Sequence, residues 1–410
     1  MFTEHPRTLL TNATVIDGVA DEAMLNHTVV VEDGLIAWIG PAAEAPPPSE
    51  GDIVHDLTGK TLLPGFMDAH VHIGSSGGLN PADQLHEPAT MSIYRGVSNL
   101  SRTLDAGVTM VRDLSGADYS AVLAAEQGLI RGPRLVVAVS AIGPTAGHSD
   151  FRTLSVPFGV HPNQGRVLHN IADGITEAKR TSRELIRVGA GVIKVMATGG
   201  VWSPRDAPEH VGLGQEEMRA IVEEANNRGI YVAAHAQGAA GIKNALRAGI
   251  MSIEHGYLID DEGIDLLLEK DAWLVPTLVT GTTAPDPAKA TAYAVEKKNR
   301  VRAQLQENIS RAFAAGVKVA LGTDCGVVPH GQNLREIGLM TDLGLSPMRA
   351  IQAGTSSAAT LLGVHETRGA IRQGFAADLA VSSIDPLADP HGLGDPTNIV
   401  QVFQDGHRVK

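Results

Sequence analysis

Eight short apolar strands alternate with amphipathic segments along this chain, and that rhythm limits its possible folds more than any other feature. The strands read as FMDAHVHI (66–73), VTMVRDL (108–114), RLVVAVS (134–140), VIKVMAT (192–198), YVAAHA (231–236), MSIEHG (251–256), WLVPTLV (273–279) and VKVALGTD (317–324). Segments such as GQEEMRAIVEEANNRG and GAAGIKNALRAG separate them with helical periodicity. Strands that alternate with helices pair in parallel, and eight such units predict a closed (β/α)8, TIM-like barrel of the α/β class. Two connections, 141–190 and 280–316, are long enough to carry extra loops or helices above the site.

The two ends follow a different pattern. Residues 7–60 alternate with a period of two and carry hairpin signals, as in HTVVVEDGLIAWIG, and the tail repeats the style in FAADLAVSSI and IVQVFQDGHRV. Neither end can bury a two-sided face alone. The expected division is therefore one small composite β-sandwich from 1–63 and 369–410, beside a barrel over 64–368.

Charge narrows the partners. The chain of 410 residues carries a formal charge of −13, without a basic stripe, and only 4% aromatic residues, which argues against nucleic acid. The single cysteine, Cys325, can form no internal disulfide, in keeping with a reducing compartment. The first residues lack a basic and then apolar leader, and no apolar run approaches the roughly 18–20 residues a membrane span needs. A cytoplasmic protein is expected, although a secreted form that has lost its leader would read the same. No membrane partner is expected, and a homo-oligomer acting on a small molecule is the expected assembly.

Charged and imidazole side chains recur at one end of the predicted strands. His70 and His72 form H-x-H, and strand alternation puts both rings on one face. Lys194 lies inside VIKVM, where a bare ammonium would be costly to bury unless paired or chemically altered. His235 in AAHAQG, His255 in SIEHG and Asp324 in LGTD each fall near a strand's C-terminal end. Singly, each has an ordinary structural explanation: a satisfied core histidine, a lysine with a hidden carboxylate, a helix cap. Together, six potential metal ligands occupy the face where barrel enzymes place their chemistry. A phosphate-handling enzyme is disfavoured, because no Gly-rich phosphate loop with its lysine is present.

Read in order, VIDG, LPGFMDAHVH, AGHSD, IKVMATGGV, AAHAQG, SIEHG, LGTD and GFAADLAV resemble the amidohydrolase superfamily over essentially the whole chain. Within it, the chain is similar to the group of imidazolonepropionase-like proteins, prolidase-like dipeptidases and ochratoxin-type amidases. The resemblance implies two divalent metal ions, with zinc the expected metal. His70, His72 and Asp324 would hold the more buried ion, and His235 and His255 the more exposed one. Lys194 would be N6-carboxylated by CO2 and bridge them, which also answers the cost of burying it. It further implies attack by a metal-bridging hydroxide, with Asp324 carrying the proton to the leaving nitrogen.

Substrate is less constrained. Dipeptidases of this group bind a free carboxylate near the segments matching AGHSDFR and the loop after the fourth strand, so His148 and Arg152 are candidates. An equally ordinary reading makes 148–150 a turn that braces its own loop; His148 could also donate to the carbonyl oxygen in the transition state. The sequence departs from the dipeptidase pattern in GHSD, where GHGD is usual, and at Leu213, where relatives often carry tyrosine. Losing that hydroxyl favours a more apolar substrate, with Trp202 as a wall or simply packed in its loop. The expected activity is hydrolysis of an amide C–N bond in small N-acyl amino acids or dipeptides. The alternatives are a hydrolase of aryl ureas, carbamates or cyclic amides and, more distantly, a scaffold without catalysis, which should have lost ligands.

Overall fold

The computed structural model describes residues 6–75, 88, 90–152, 170–286, 288 and 290–410. Five strands open the chain: β1 (Thr8–Val15), β2 (Met24–Glu32), β3 (Leu35–Pro41), β4 (Ile53–Asp56) and β5 (Thr61–Pro64). Nine more follow: β6 (Phe66–Val71), β7 (Val108–Asp113), β8 (Arg134–Val137), β9 (Ala141–Ile142), β10 (Ile193–Met196), β11 (Val232–Gly238), β12 (Ser252–Leu258), β13 (Trp273–Val275) and β14 (Lys318–Val319). The chain ends with β15 (Leu379–Ser382), β16 (Ile399–Gln404) and β17 (His407–Arg408).

Chain contacts divide the protein into two compact units: Met1–Asp68 with Ser101–Met110 and Gly331–Lys410, and Ala69–Leu100 with Val111–His330. The first unit holds an eight-stranded mixed sheet in the order β17-β16-β15-β5-β1-β2-β3, with β4 on β1. Strands from both chain ends thus share one sheet: β5 and β15 pair antiparallel, Leu63 opposite Ala380. Two tight hairpins set its register. Asp33–Gly34 joins β2 to β3 and Asp405–Gly406 joins β16 to β17, all four residues at positive φ. Asp-Gly suits this geometry because glycine adopts positive φ freely and a short polar side chain tolerates it. Leu10, Val29, Val31, Ile36, Leu62, Leu379 and Phe403 form the buried core of the sheet.

The second unit is built on parallel strands. β14-β13-β12-β11-β10-β9 form a six-stranded sheet, and β6-β7-β8 a three-stranded one. The helices expected between strands are present, including Gln215–Asn226 between β10 and β11, Ala239–Arg247 before β12, and Asp261–Glu269 before β13. Further backbone bonds extend these ladders: Ala138 N donates to Asp113 O, Gly191 N to Val137 O, Ala69 N to Leu321 O and His72 N to Cys325 O.

Three strands end earlier than the apolar runs suggest. The run 273–279 stops at Val275, because Pro276 has no N–H to offer a ladder and Thr277 turns to φ +49° before the helix Leu278–Thr282. The run 134–140 stops at Val137, before Val139 at φ +66°, and β9 begins only at Ala141. The run 317–324 pairs on its sheet only over Lys318–Val319. Of the two long connections, 280–316 carries the 23-residue helix Ala292–Ala314 and 141–190 carries Ile175–Arg187, while 153–169 lies outside the described residues. No helix among the described residues is long and apolar enough to cross a membrane.

Candidate active site

The six side chains singled out in the sequence are all in the second unit and all on or just after its strands. His70 lies in β6, Lys194 in β10, His235 in β11 and His255 in β12, while His72 and Asp324 follow β6 and β14. His70, His72 and Asp324 present donor atoms within 4.8 Å of one another. Asp324 Oδ1 is 3.1 Å from His72 Nε2 and 3.6 Å from His70 Nε2. The rings form a chain: His70 lies 5.3 Å from His72 and 5.0 Å from His255, which lies 4.7 Å from His235.

Outer contacts turn each ring. Nδ1 of His70 is 2.8 Å from Glu254 Oε2, and Nδ1 of His72 is 2.6 Å from the Ser115 carbonyl. Those acceptors hold the proton on Nδ1 and leave Nε2 of both rings toward Asp324. His255 Nδ1 contacts Thr277 Oγ1 at 2.7 Å, and His235 Nε2 contacts the Gly199 carbonyl at 3.0 Å. The backbone is itself constrained here, with His255 at φ +72° and Asp324 at φ +59°. Most non-glycine residues avoid that region, although Asp and His enter it more readily than others.

Electrostatically the cluster is a set of desolvated lone pairs. Burial drives His70, His235 and His255 well below the ordinary imidazole value, and neighbouring cations push the same way. Burial, the largest single influence, would also lower His72, but Asp324, Asp113 and the Ser115 carbonyl together raise that ring. Beneath His70, Arg112 and Glu254 form a fully buried ion pair at 2.8 Å, joined by Ser252 Oγ 3.1 Å from Arg112. Arg112 also donates to the Ala69 carbonyl at 2.5 Å. Lys194, 2% exposed, is lowered to about 8 by burial, and its Nζ has no hydrogen-bond partner among the described residues.

These features suit divalent cations. Neutral imidazoles and a carboxylate are good ligands for zinc and its neighbours, and each ring has its second nitrogen already engaged. An orphaned amine buried among them is hard to explain as an ammonium, and is accounted for if it becomes a carbamate. The donor set fits the expected ions.

The proposed substrate contacts are less uniform. His148 stacks on His235 with ring centroids 4.5 Å apart, so it does join the cluster. Arg152 is turned to its own loop: Nε and Nη2 donate to Asp150 at 2.7 and 2.6 Å, and Nη2 to Thr145 Oγ1 at 3.0 Å. Trp202 is half-buried, its carbonyl accepting from Tyr293 Oη at 3.2 Å. Leu213 is completely buried, with its N–H on the Met196 carbonyl. Cys325 is a buried thiol within 3.5 Å of the Pro329 carbonyl.

Arg112, Glu254, Ser203 and Asp206 bear on the site and were not singled out from sequence. For the first two the signal existed: a charge inside an apolar strand, VTMVRD or MSIEHG, as with Lys194 in VIKVM. Ser203 and Asp206 lie in a loop, where polar residues carry no such mark.

Comparison with known proteins places these residues in context. The model of the Amidohydrolase family matches residues 61–409. The ochratoxinase of Aspergillus niger is 32% identical over 406 residues, covering 95% of this chain and 84% of that protein. A Xaa-Pro dipeptidase solved with methionine in its active site is 30% identical with a TM-score of 0.90, covering 98% of this chain and 100% of that one. A prolidase solved with N-methylphosphonate-L-proline is 32% identical with a TM-score of 0.92, over 98% and 99% of the two chains.

Proposed function

The chain belongs to the amidohydrolase family and is a hydrolase of amide C–N bonds, and from that premise we propose that it cleaves small N-acyl amino acids or dipeptides with the help of two divalent metal ions. One observation carries this reading. His70, His72 and Asp324 converge within 4.8 Å, and beside them Lys194 offers a buried amine with no partner among the described residues. His70, His72 and Asp324 would hold one ion, His235 and His255 the other, and carboxylated Lys194 would bridge them. Zinc is the proposed metal. The (β/α)8 barrel over 64–368 and the sandwich from 1–63 and 369–410 belong to the same proposal. The bonds from Ala69 to Leu321 and from His72 to Cys325 support a closed ring of strands, and the sheet shared by both chain ends supports the sandwich.

When bound, such ions polarise a carbonyl and make an activated water available near neutral pH. The remaining work falls to the chain. Asp324 Oδ1, beside His72, is placed to take the proton of the attacking water and return it to the leaving nitrogen. His148, lying against His235, would steady the carbonyl oxygen in its protonated form. Trp202 and Leu213 supply the apolar side of the binding region, and Arg152 its cation.

A second reading, hydrolysis of ureas, carbamates or cyclic amides, gains support from Arg152, whose guanidinium is already paired with Asp150 at 2.6 Å. A substrate without a carboxylate would not need it. Elemental analysis of the purified protein, run beside turnover on N-acyl amino acids, dipeptides and aryl carbamates, tests both readings. Two zinc-like ions per chain with turnover on the first two classes is the expected result. Turnover confined to carbamates would select the second reading, and a metal-free, inactive protein after growth in metal-replete medium would overturn both.

A further inference from the structure

One hydrogen-bonded network near the site lies outside the proposed ligand set. His148 Nδ1 lies 2.7 Å from Ser203 Oγ, and Ser203 Oγ in turn donates to Asp206 Oδ1. A carboxylate can only accept, so the serine hydroxyl points its proton at Asp206 and its lone pairs at His148. His148 must then carry its proton on Nδ1. Its Nε2 has no protein partner among the described residues. Gly200 completes the seat: a Cβ at that position would lie 2.1 Å from His148 Cε1, so only glycine lets the ring pack there.

The loop that carries Ser203 and Asp206 is held from outside by one face of the helix Ala292–Ala314. Tyr293, Lys297 and Arg300 follow at i, i+4 and i+7, which lines them along one side. Tyr293 Oη donates to the Trp202 carbonyl, and Lys297 Nζ donates to the carbonyls of Ser203 at 2.7 Å and Gly200 at 3.3 Å. Lys297 also lies 3.8 Å from Asp206, and Arg300 pairs with both oxygens of Glu209 at 2.9 Å.

We propose that Ser203 and Asp206 are positioning residues that hold His148 with its proton on Nδ1 and present Nε2 to the substrate, while the Tyr293–Lys297–Arg300 face straps their loop in place. In this arrangement neutral His148 can accept a proton or an N–H at Nε2. It donates to an oxygen only after gaining a proton, and the resulting imidazolium is supported through Ser203 by Asp206. The catalytic consequence rests on the hydrolase reading above; the position of the proton does not.

The test separates the two. In the protein as purified, labelled with 15N-histidine, the His148 signal is identified by its loss in His148→Gln, and its coupling pattern reports which nitrogen is protonated. Protonated Nδ1 in the wild type, moving toward Nε2 in Ser203→Ala and Asp206→Asn, is expected. Wild-type protein with Nε2 protonated, or variants that leave the pattern unchanged, would overturn the proposal. On whichever amide substrate the enzyme turns over, both variants should lower kcat by about 10- to 100-fold with metal content and KM near wild type, the range seen for such supporting residues. Ser203→Thr, which keeps the hydroxyl, should restore kcat. Equal losses in Ser203→Thr and Ser203→Ala, or lost metal, would reduce these residues to structural support. If no substrate or metal is found, the hydrolase reading fails while the proton measurement still decides this one.

Discussion

At the floor of the site, His70 is held by Glu254, whose other oxygen meets Arg112, and all three side chains rise from strands. At the rim, His148 is held by Ser203 and Asp206 on a loop that a helix ties down through carbonyl contacts. Both arrangements set the proton on Nδ1 of an imidazole. The floor does so with a salt bridge withdrawn from water, Arg112 and Glu254 both at 0% exposure. Such a pair tolerates no missing partner, because the survivor is left charged in a medium that cannot solvate it. The rim uses a neutral hydroxyl as intermediary, and when it is removed Asp206 still has the Gly200 N–H at 3.3 Å and Lys297 at 3.8 Å. The contrast teaches that metal retention and global stability should depend on the floor, and turnover on the rim.

The largest effect should come from the floor's unpaired member. Lys194→Ala is expected to lose bound metal and to lower turnover on the order of a thousandfold, since metal assistance supplies several kcal/mol to reactions of this kind. Elemental analysis with kinetics checks it, and a short carboxylic acid should restore part of the activity. Full metal content in the variant would remove Lys194 from the ligand set.

Glu254→Gln comes next. It leaves Arg112 buried without its carboxylate, which costs roughly 3–5 kcal/mol of stability, and frees His70, which should weaken metal binding about 10- to 100-fold. Urea unfolding and a metal-competition titration measure the two separately. If both match Ser203→Ala, floor and rim do not differ in the way described.

Lys298 sharpens the comparison most finely. It is buried like Arg112, but among the described residues it donates only to the Thr280 carbonyl at 2.6 Å, and burial lowers it to about 8. Below that pH the folded chain carries a desolvated ammonium. Between about 8 and the ordinary 10.5 the unfolded chain binds more protons than the folded one, so wild-type stability rises with pH. The difference corresponds to on the order of 3 kcal/mol, offset by about 1 kcal/mol for the hydrogen bond. Lys298→Met should therefore stabilise the protein by roughly 2 kcal/mol at pH 7. That gain should disappear above pH 10.5. Urea unfolding at several pH values follows it, and a variant destabilised at neutral pH would show that the hydrogen bond outweighs the desolvation.

Much of the site was open to reading in the sequence for a local reason. An apolar strand interrupted by one imidazole or charge is conspicuous, and alternation assigns its face, so His70, His72, Lys194, His235, His255 and Asp324 stood out. The Asp-Gly pairs likewise announced the hairpins at 33–34 and 405–406, because their chemistry acts within two residues. By contrast, WLVPTLV looked like one strand, and its break at Pro276 depended on whether a ladder partner existed there. Arg152 looked like a free cation until its loop folded it onto Asp150.

Periodicity and burial are properties of neighbouring residues, so the sequence by itself determined the alternating strands and helices, the sheet-forming ends and the positions of the candidate ligands. Only the tertiary structure decided which side chains orient them. Glu254 meets His70 across 184 residues, Ser203 meets His148 across 55, and Lys297 meets Ser203 across 94. It also decided the left-handed backbone of His255 and Asp324, a conformation their residue types visit more readily than most but that the sequence does not assign to them. Those contacts and strains exist only because the packed strands and the anchored loop leave these groups nowhere else to go.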